Sequence, residues 1–165
     1  MAEDIRLIVF DCDLTLWNHE DASILLHPLV LEGPDTIRDQ MGIRVSLFPQ
    51  VRSMLAELDR RGYLLSVCSW NLENPVLEML RLFGLSRYFR HPKVEPHPDK
   101  ADMIARTIEE FAAEGIPLLP QQVVFTDDRT LHTEAIQARL PGLHVIQMWV
   151  DVKDHNGLLD WLAAG

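Results

Sequence analysis

Short apolar runs alternate with longer amphipathic segments along most of this chain, and that alternation limits its fold more than any other feature. Residues 5–10 (IRLIVF) are nearly all apolar and too short for a typical helix, the pattern of a central strand covered on both faces. Residues 64–68, 123–126 and 143–148 repeat the pattern, and a weaker strand is expected near residues 88–90. Between the runs the spacing becomes helical: Val51, Met54, Leu55 and Leu58 fall at i, i+3, i+4 and i+7, and Gly62 is a stop. Further helices are expected from Asn74 and Pro75 to Gly84, over residues 99–114, over residues 130–140 ahead of Pro141, and around Leu158, Leu159 and Leu162. Strands that alternate with helices require right-handed crossovers, so the predicted class is α/β: a mainly parallel sheet between two helical layers. With 47% hydrophobic residues the chain can fill one core, and residues 1–165 read as a single domain.

Residues 14–46 break the alternation. They show no sustained periodicity, are interrupted by Pro28, Gly33 and Pro34, and exceed the length of an ordinary connection. The expectation is a long loop with a small hairpin, lying over the edge where the strands end. Ligands of such sheets bind outside the carboxyl ends of the strands, so the residues that follow each strand are the ones to inspect.

Charge narrows the partners. Fifteen basic against twenty-five acidic side chains give a net charge of −10, with no basic stripe to follow a phosphate backbone, so no nucleic-acid partner is expected. The acidic N-terminus is unlike a secretory leader, and no apolar run approaches bilayer length; a cytoplasmic protein without membrane partners is expected. The two cysteines, Cys12 and Cys68, read as free, buried thiols. None of the seven histidines has the spacing of a zinc ligand. Oligomeric state is not legible.

The chemistry gathers where strands end. The first run finishes in Asp11-Cys12-Asp13-Leu14-Thr15, the second in Ser69, and the run 123–126 in Asp127-Asp128, while Lys100 opens a helix after a proline-containing turn. Each group alone has an ordinary explanation, because an aspartate after a strand is commonly a turn former or helix cap and Lys93 competes with Lys100 for any role. Together they demand more. Carboxylates crowded on one edge repel one another and resist ionising, unless a divalent cation such as Mg²⁺ joins them through hard oxygen ligands, with Asp11 and Asp127 as the direct ones. Such a site suits phosphoryl transfer: Asp11 as nucleophile, Asp13 as general acid and then base, Ser69 and Lys100 holding phosphoryl oxygens. The backbone after Asp11, at Cys12, and the residue after Ser69, Trp70, would complete the phosphate cradle.

Asp11-Cys12-Asp13-Leu14-Thr15-Leu16 resembles the first motif of the haloacid dehalogenase superfamily, and Ser69, Lys100 and Asp127-Asp128 resemble its other three in the right order. The continuation Thr15-Leu16-Trp17, with Asp39-Gln40-Met41-Gly42 and the segment 45–51, is most similar to the small magnesium-dependent phosphatases of that superfamily. The resemblance implies a Rossmann-like sandwich with strand order 3-2-1-4-5 and no large cap, residues 14–46 forming at most a minimal one. It also implies Asp127 as a direct metal ligand, the backbone carbonyl of Asp13 as a third, and Asp128 as the group that orients the lysine or a metal-bound water, with Thr15 in support. Trp70-Asn71 departs from the small or basic residues usual after Ser69. The expected activity is hydrolysis of phosphomonoesters, on small phosphorylated substrates such as sugar phosphates or on phosphotyrosine-like side chains. A phosphotransferase or mutase using the same intermediate remains open, as does a noncatalytic receiver-like module, against which the order of the spaced and adjacent acidic pairs argues. Trp17, His19 and His97 are candidate neighbours of the substrate.

Overall fold

The structure, a computed structural model, describes residues 4–164. Its main sheet contains β1 (Leu7–Phe10), β5 (Leu64–Trp70), β6 (Lys93–Glu95), β7 (Val123–Asp127) and β8 (His144–Gln147). All neighbours pair in parallel in the order β6-β5-β1-β7-β8, which is 3-2-1-4-5 counted along this sheet. Five helices complete it: α1 (Val51–Arg60), α2 (Glu73–Leu82), α3 (Lys100–Ala113), α4 (Thr133–Arg139) and α5 (His155–Ala163).

The period-two geometry of a strand explains why β1 is apolar throughout. Ile8 and Phe10 point into a core shared with Met54 and Leu58 of α1, Met79 of α2 and Leu158 of α5, whereas Leu7 and Val9 point the other way, to Met103 and Phe111 of α3 and Ile136 of α4. The result is the expected Rossmann-like three-layer sandwich, with β1 buried at its centre and no large cap.

Two expectations are corrected. Residues 88–90 form no strand: Ser86–Tyr88 is a short 3-10 helix, and the fifth strand of the sheet lies at Lys93–Glu95. Its polar ends hid it. Lys93 is buried because Nζ pairs with Glu110 at 2.7 Å, and Glu95 is covered by Arg106, so an edge strand of this kind carries no apolar signature. Residues 14–46 hold more than a hairpin. They contain a three-stranded antiparallel sheet of β2 (Val30–Leu31), β3 (Thr36–Arg38) and β4 (Arg44–Ser46).

One face of this small sheet is part of the main core, through the buried Ile37 and Val45, and Val30 and Leu31 are exposed. Asp39 ties the segment together: its carboxylate accepts from the amides of Leu26, Met41 and Ile43 at 3.0, 2.9 and 2.8 Å. The Leu26 amide foremost holds that carboxyl below its ordinary range. The insertion is therefore built as an extension of the domain. Ile37→Ala is expected to lower unfolding free energy by about 2–4 kcal/mol, whereas Val30→Ala should change it by less than about 0.5 kcal/mol, as read by urea denaturation. Equal small effects would show the insertion to be detached from the core.

Candidate active site

Parallel pairing fixes the site. Phe10 of β1 is in register with Thr126 of β7 and with Val67 of β5, so Asp11, just past β1, and Asp127 and Ser69, in the last residues of β7 and β5, line up along one edge of the sheet. The Asp11 amide still donates to the Thr126 carbonyl at 2.9 Å, which keeps the Asp11 side chain on the rigid end of the strand. Beyond it Leu14 turns in the left-handed region at φ 57°, a conformation rare for a branched residue. The turn carries Thr15 back, where its hydroxyl donates to Asp11 Oδ2 at 3.3 Å.

Lys100, the first residue of α3, is buried with Nζ 3.1 Å from Asp11 Oδ1 and 2.9 Å from Asp127 Oδ2. Asp128 lies outside this pairing. Of the two acids Asp127 is the one bonded to the lysine, and Asp128, half-buried, lines the cavity in front of the sheet. The register explains the difference, since Asp127 is still inside β7 and faces its neighbours, whereas Asp128 is the first residue outside the strand.

Asp11, Asp127 and Asp128 each offer a carboxylate oxygen within 4.8 Å of the others. Three carboxylates facing one ammonium leave an excess of two negative charges, which a single divalent cation would balance. The donors are hard oxygens, as magnesium prefers. Electrostatics agree: burial, opposed by Lys100 and reinforced by Asp127, raises Asp11 well above the usual carboxylate range. Burial and the hydrogen bond to Asp127 raise Asp128 as well. Burial would also raise Asp127, but the charge and hydrogen bond of Lys100 hold it low. Lys100 is pulled down by burial and, more strongly in sum, up by Asp11 and Asp127, so it remains an ammonium. The residues fit a magnesium ion.

The Asp13 carboxyl is bonded to other partners. Its Oδ1 accepts from the indole N–H of Trp17 at 2.7 Å, and its Oδ2 from the Asn71 amide at 2.7 Å and the Ala22 backbone N–H at 3.2 Å. Burial raises its pKa, the three donors opposing. In front of Asp11 and Asp13 opens a cavity of about 600 Å³, bordered by Ser69, Trp70 and Asn71 on one side, Glu20 and Asp21 on another, and Arg129.

Of the remaining candidates, Cys12 is fully buried, and its carbonyl is taken by the amides of Thr15 and Leu16, so only its own amide can serve a phosphate. Burial raises its thiol and that of Cys68, which stay protonated. Trp70 is 43% exposed, lines the cavity and packs edge-on against His132 at 6.2 Å. Trp17 is not a substrate neighbour: it is fully buried, and its polar edge holds Asp13. His19 accepts from the Asp21 amide and His97 pairs with Glu95, both outside the cavity lining. Sequence reasoning missed Arg129 and the contact of Asn71 with Asp13. No motif marks Arg129, and no local pattern announces a contact between residues so far apart in the chain as Asn71 and Asp13.

The acid phosphatase family model matches residues 5–140. Human magnesium-dependent phosphatase 1 is 30% identical over 146 residues, which cover 88% of this chain and 80% of that protein. Among solved structures, the phosphatase-containing N-terminal part of a Bacteroides fragilis protein, complexed with Mg, aligns with a TM-score of 0.64 at 20% identity over 98% of this chain; the chain spans 40% of that structure. A haloacid dehalogenase superfamily hydrolase from Geobacter sulfurreducens aligns with a TM-score of 0.64 at 15% identity, over 95% of this chain and 99% of its own, which supports the fold. With an aspartate cluster at the ends of β1 and β7, a family match over most of its length and a magnesium-dependent phosphatase as a relative, the chain belongs to the acid phosphatase family, among its magnesium-dependent phosphatases, on the fold of the haloacid dehalogenase-like hydrolases.

Proposed function

We propose that this phosphatase hydrolyses phosphomonoesters in two steps through an aspartyl phosphate, a mixed anhydride formed on Asp11. The observation that carries the reading is the convergence of Lys100, Asp11 and Asp127 within hydrogen-bond distance, beside a third carboxylate, at the floor of the cavity. Bound by oxygens of Asp11, Asp127 and Asp128 and by the Asp13 carbonyl that the family resemblance implies, Mg²⁺ would supply neutralising charge for the carboxylates and the substrate phosphate.

In the first step an Asp11 carboxylate oxygen bonds to phosphorus as the ester P–O bond breaks, and the departing oxygen takes a proton from Asp13. In the second, Asp13 removes a proton from water, whose oxygen bonds to phosphorus while the Asp11–phosphorus bond breaks. Both carboxyl groups return to their starting states. Lys100 keeps Asp11 turned toward the cavity and contributes positive charge, and the Ser69 hydroxyl and the amide of Cys12 hold phosphoryl oxygens. Trp70, Leu72 and Leu14 give the cavity apolar walls, while Glu20, Asp21, Ser23 and Asn71 give it polar ones. That mixture suits a leaving group with a ring face and hydroxyls, as in sugar phosphates or a phosphotyrosine-like aryl phosphate.

Asp11→Asn is expected to reduce turnover of an aryl phosphate to less than about one thousandth, because the amide is no nucleophile. Rapid acid quench with ³²P-labelled substrate should leave label on the wild-type protein and none on Asp11→Asn; undiminished turnover by that variant would sink the mechanism. Chelator should abolish activity and magnesium restore it. Millimolar magnesium should also raise the melting temperature of the wild type, as binding to the folded state requires, and raise that of Asp127→Asn less; identical shifts would place the ion elsewhere.

A further inference from the structure

Asn71 is the second residue of the Trp70-Asn71 pair that follows Ser69, and the structure gives it a use. It follows the last residue of β5, is 93% buried, and its main-chain N–H is anchored to the Glu95 carbonyl at 3.0 Å, continuing the β5–β6 pairing. Its side-chain carbonyl accepts from the Leu72 amide at 2.7 Å, which leaves its NH₂ directed at Asp13 Oδ2, also at 2.7 Å. The orientation is fixed from both ends, since a backbone N–H can only donate and an ionised carboxylate can only accept.

With Ala22 donating to the same oxygen, both in-plane lone pairs of Asp13 Oδ2 are occupied. Oδ1 receives Trp17 alone, so one acceptor position of the carboxyl is without a protein donor among the described residues. We propose that Asn71 is a positioning residue for the general acid: with Ala22 it saturates Oδ2, fixes the carboxyl plane, and leaves the open position on Oδ1 to carry the proton exchanged with the leaving group and with water. The inference rests on the reading of Asp13 as proton donor.

Proton donation matters in proportion to how poor the leaving group is, and this gives the test a readout that a purely structural role would not move. In the magnesium-loaded enzyme, Asn71→Ala should lower kcat for an alkyl phosphate roughly 30- to 100-fold, and for 2,4-dinitrophenyl phosphate by less than about threefold, with KM for both unchanged within about twofold. Asn71→Leu keeps the bulk while removing the donor and adds no charge beside Asp13, and should show the same split; it serves if the alanine variant does not fold. In an Asp13→Asn background either substitution should change alkyl turnover by less than about twofold, since its effect passes through Asp13. Equal losses on both substrates, or a full further loss in the Asp13→Asn background, would overturn the assignment. Should Asp13→Asn alone fail to discriminate between the two leaving groups, the proton-donor reading itself falls, and the inference with it.

Discussion

A buried ammonium between two buried carboxylates is the interaction on which this site depends. Lys100 has no exposed side-chain surface, and Asp11 and Asp127 have almost none. Withdrawing three charged groups from water costs more than a surface pair could return, so the arrangement persists only because each group satisfies the others. It is not placed for the helix. A cation in the first turn of α3 opposes the helix dipole, and that turn is stabilised instead by Asp99, which caps it through the Asp102 amide at 3.1 Å. The lysine is positioned to serve the carboxylates, with the Phe125 ring 5.3 Å from its nitrogen closing the apolar side. Charge is left over after this pairing, and the excess, together with the upward push on Asp11 and Asp128, makes the site a receptor for a divalent cation.

The loop that follows Asp11 is held from a distance. Trp149 donates its indole N–H to the Leu14 carbonyl at 2.9 Å, and the His155 ring nitrogen Nε2 meets the Thr15 carbonyl at 2.7 Å. Both lie in the C-terminal segment that follows β8, past residue 140 where the family match ends. Burial lowers the pKa of His155, so it is neutral near pH 7 and bonds as a donor through Nε2. The left-handed turn at Leu14 is a conformation that must be over-determined by its surroundings, and these two contacts, with the Leu14 amide bonded to the His19 carbonyl at 3.1 Å, do so.

Much of this was legible in the sequence, for physical reasons that also mark where legibility stops. β1, β5 and β7 are buried on both faces, so their apolar runs announce them, and the family's chemistry sits at their ends as motifs. β6 was misplaced because its polar residues are buried by partners from α3, and burial by pairing leaves no hydrophobic pattern. The antiparallel sheet of residues 30–46 was only half seen: strands of two or three residues are shorter than the period needed to recognise them. Which of Asp127 and Asp128 meets Lys100 turns on which residue is the last inside the strand, a boundary that sequence patterns do not resolve. Asn71 and Arg129 enter the site through tertiary placement alone.

The insertion between β1 and α1 gains its meaning from Asp13. Two of the three donors on that carboxyl, the Trp17 indole and the Ala22 amide, come from its first residues, and Asn71 comes from the opposite wall. Trp17 is fully buried and forms bridges to both Asp13 and Leu47, so the acid is braced by the same residue that fastens the insertion to the domain. With no large cap among the described residues, the chain holds the Asp13 carboxyl against a packed core. In the proposed reaction a proton donor held in this way would spend no binding energy on being brought into place. The same bracing leaves the cavity walls at Trp70, Glu20, Asp21 and Arg129 free to vary with the substrate while the machinery beneath them stays fixed.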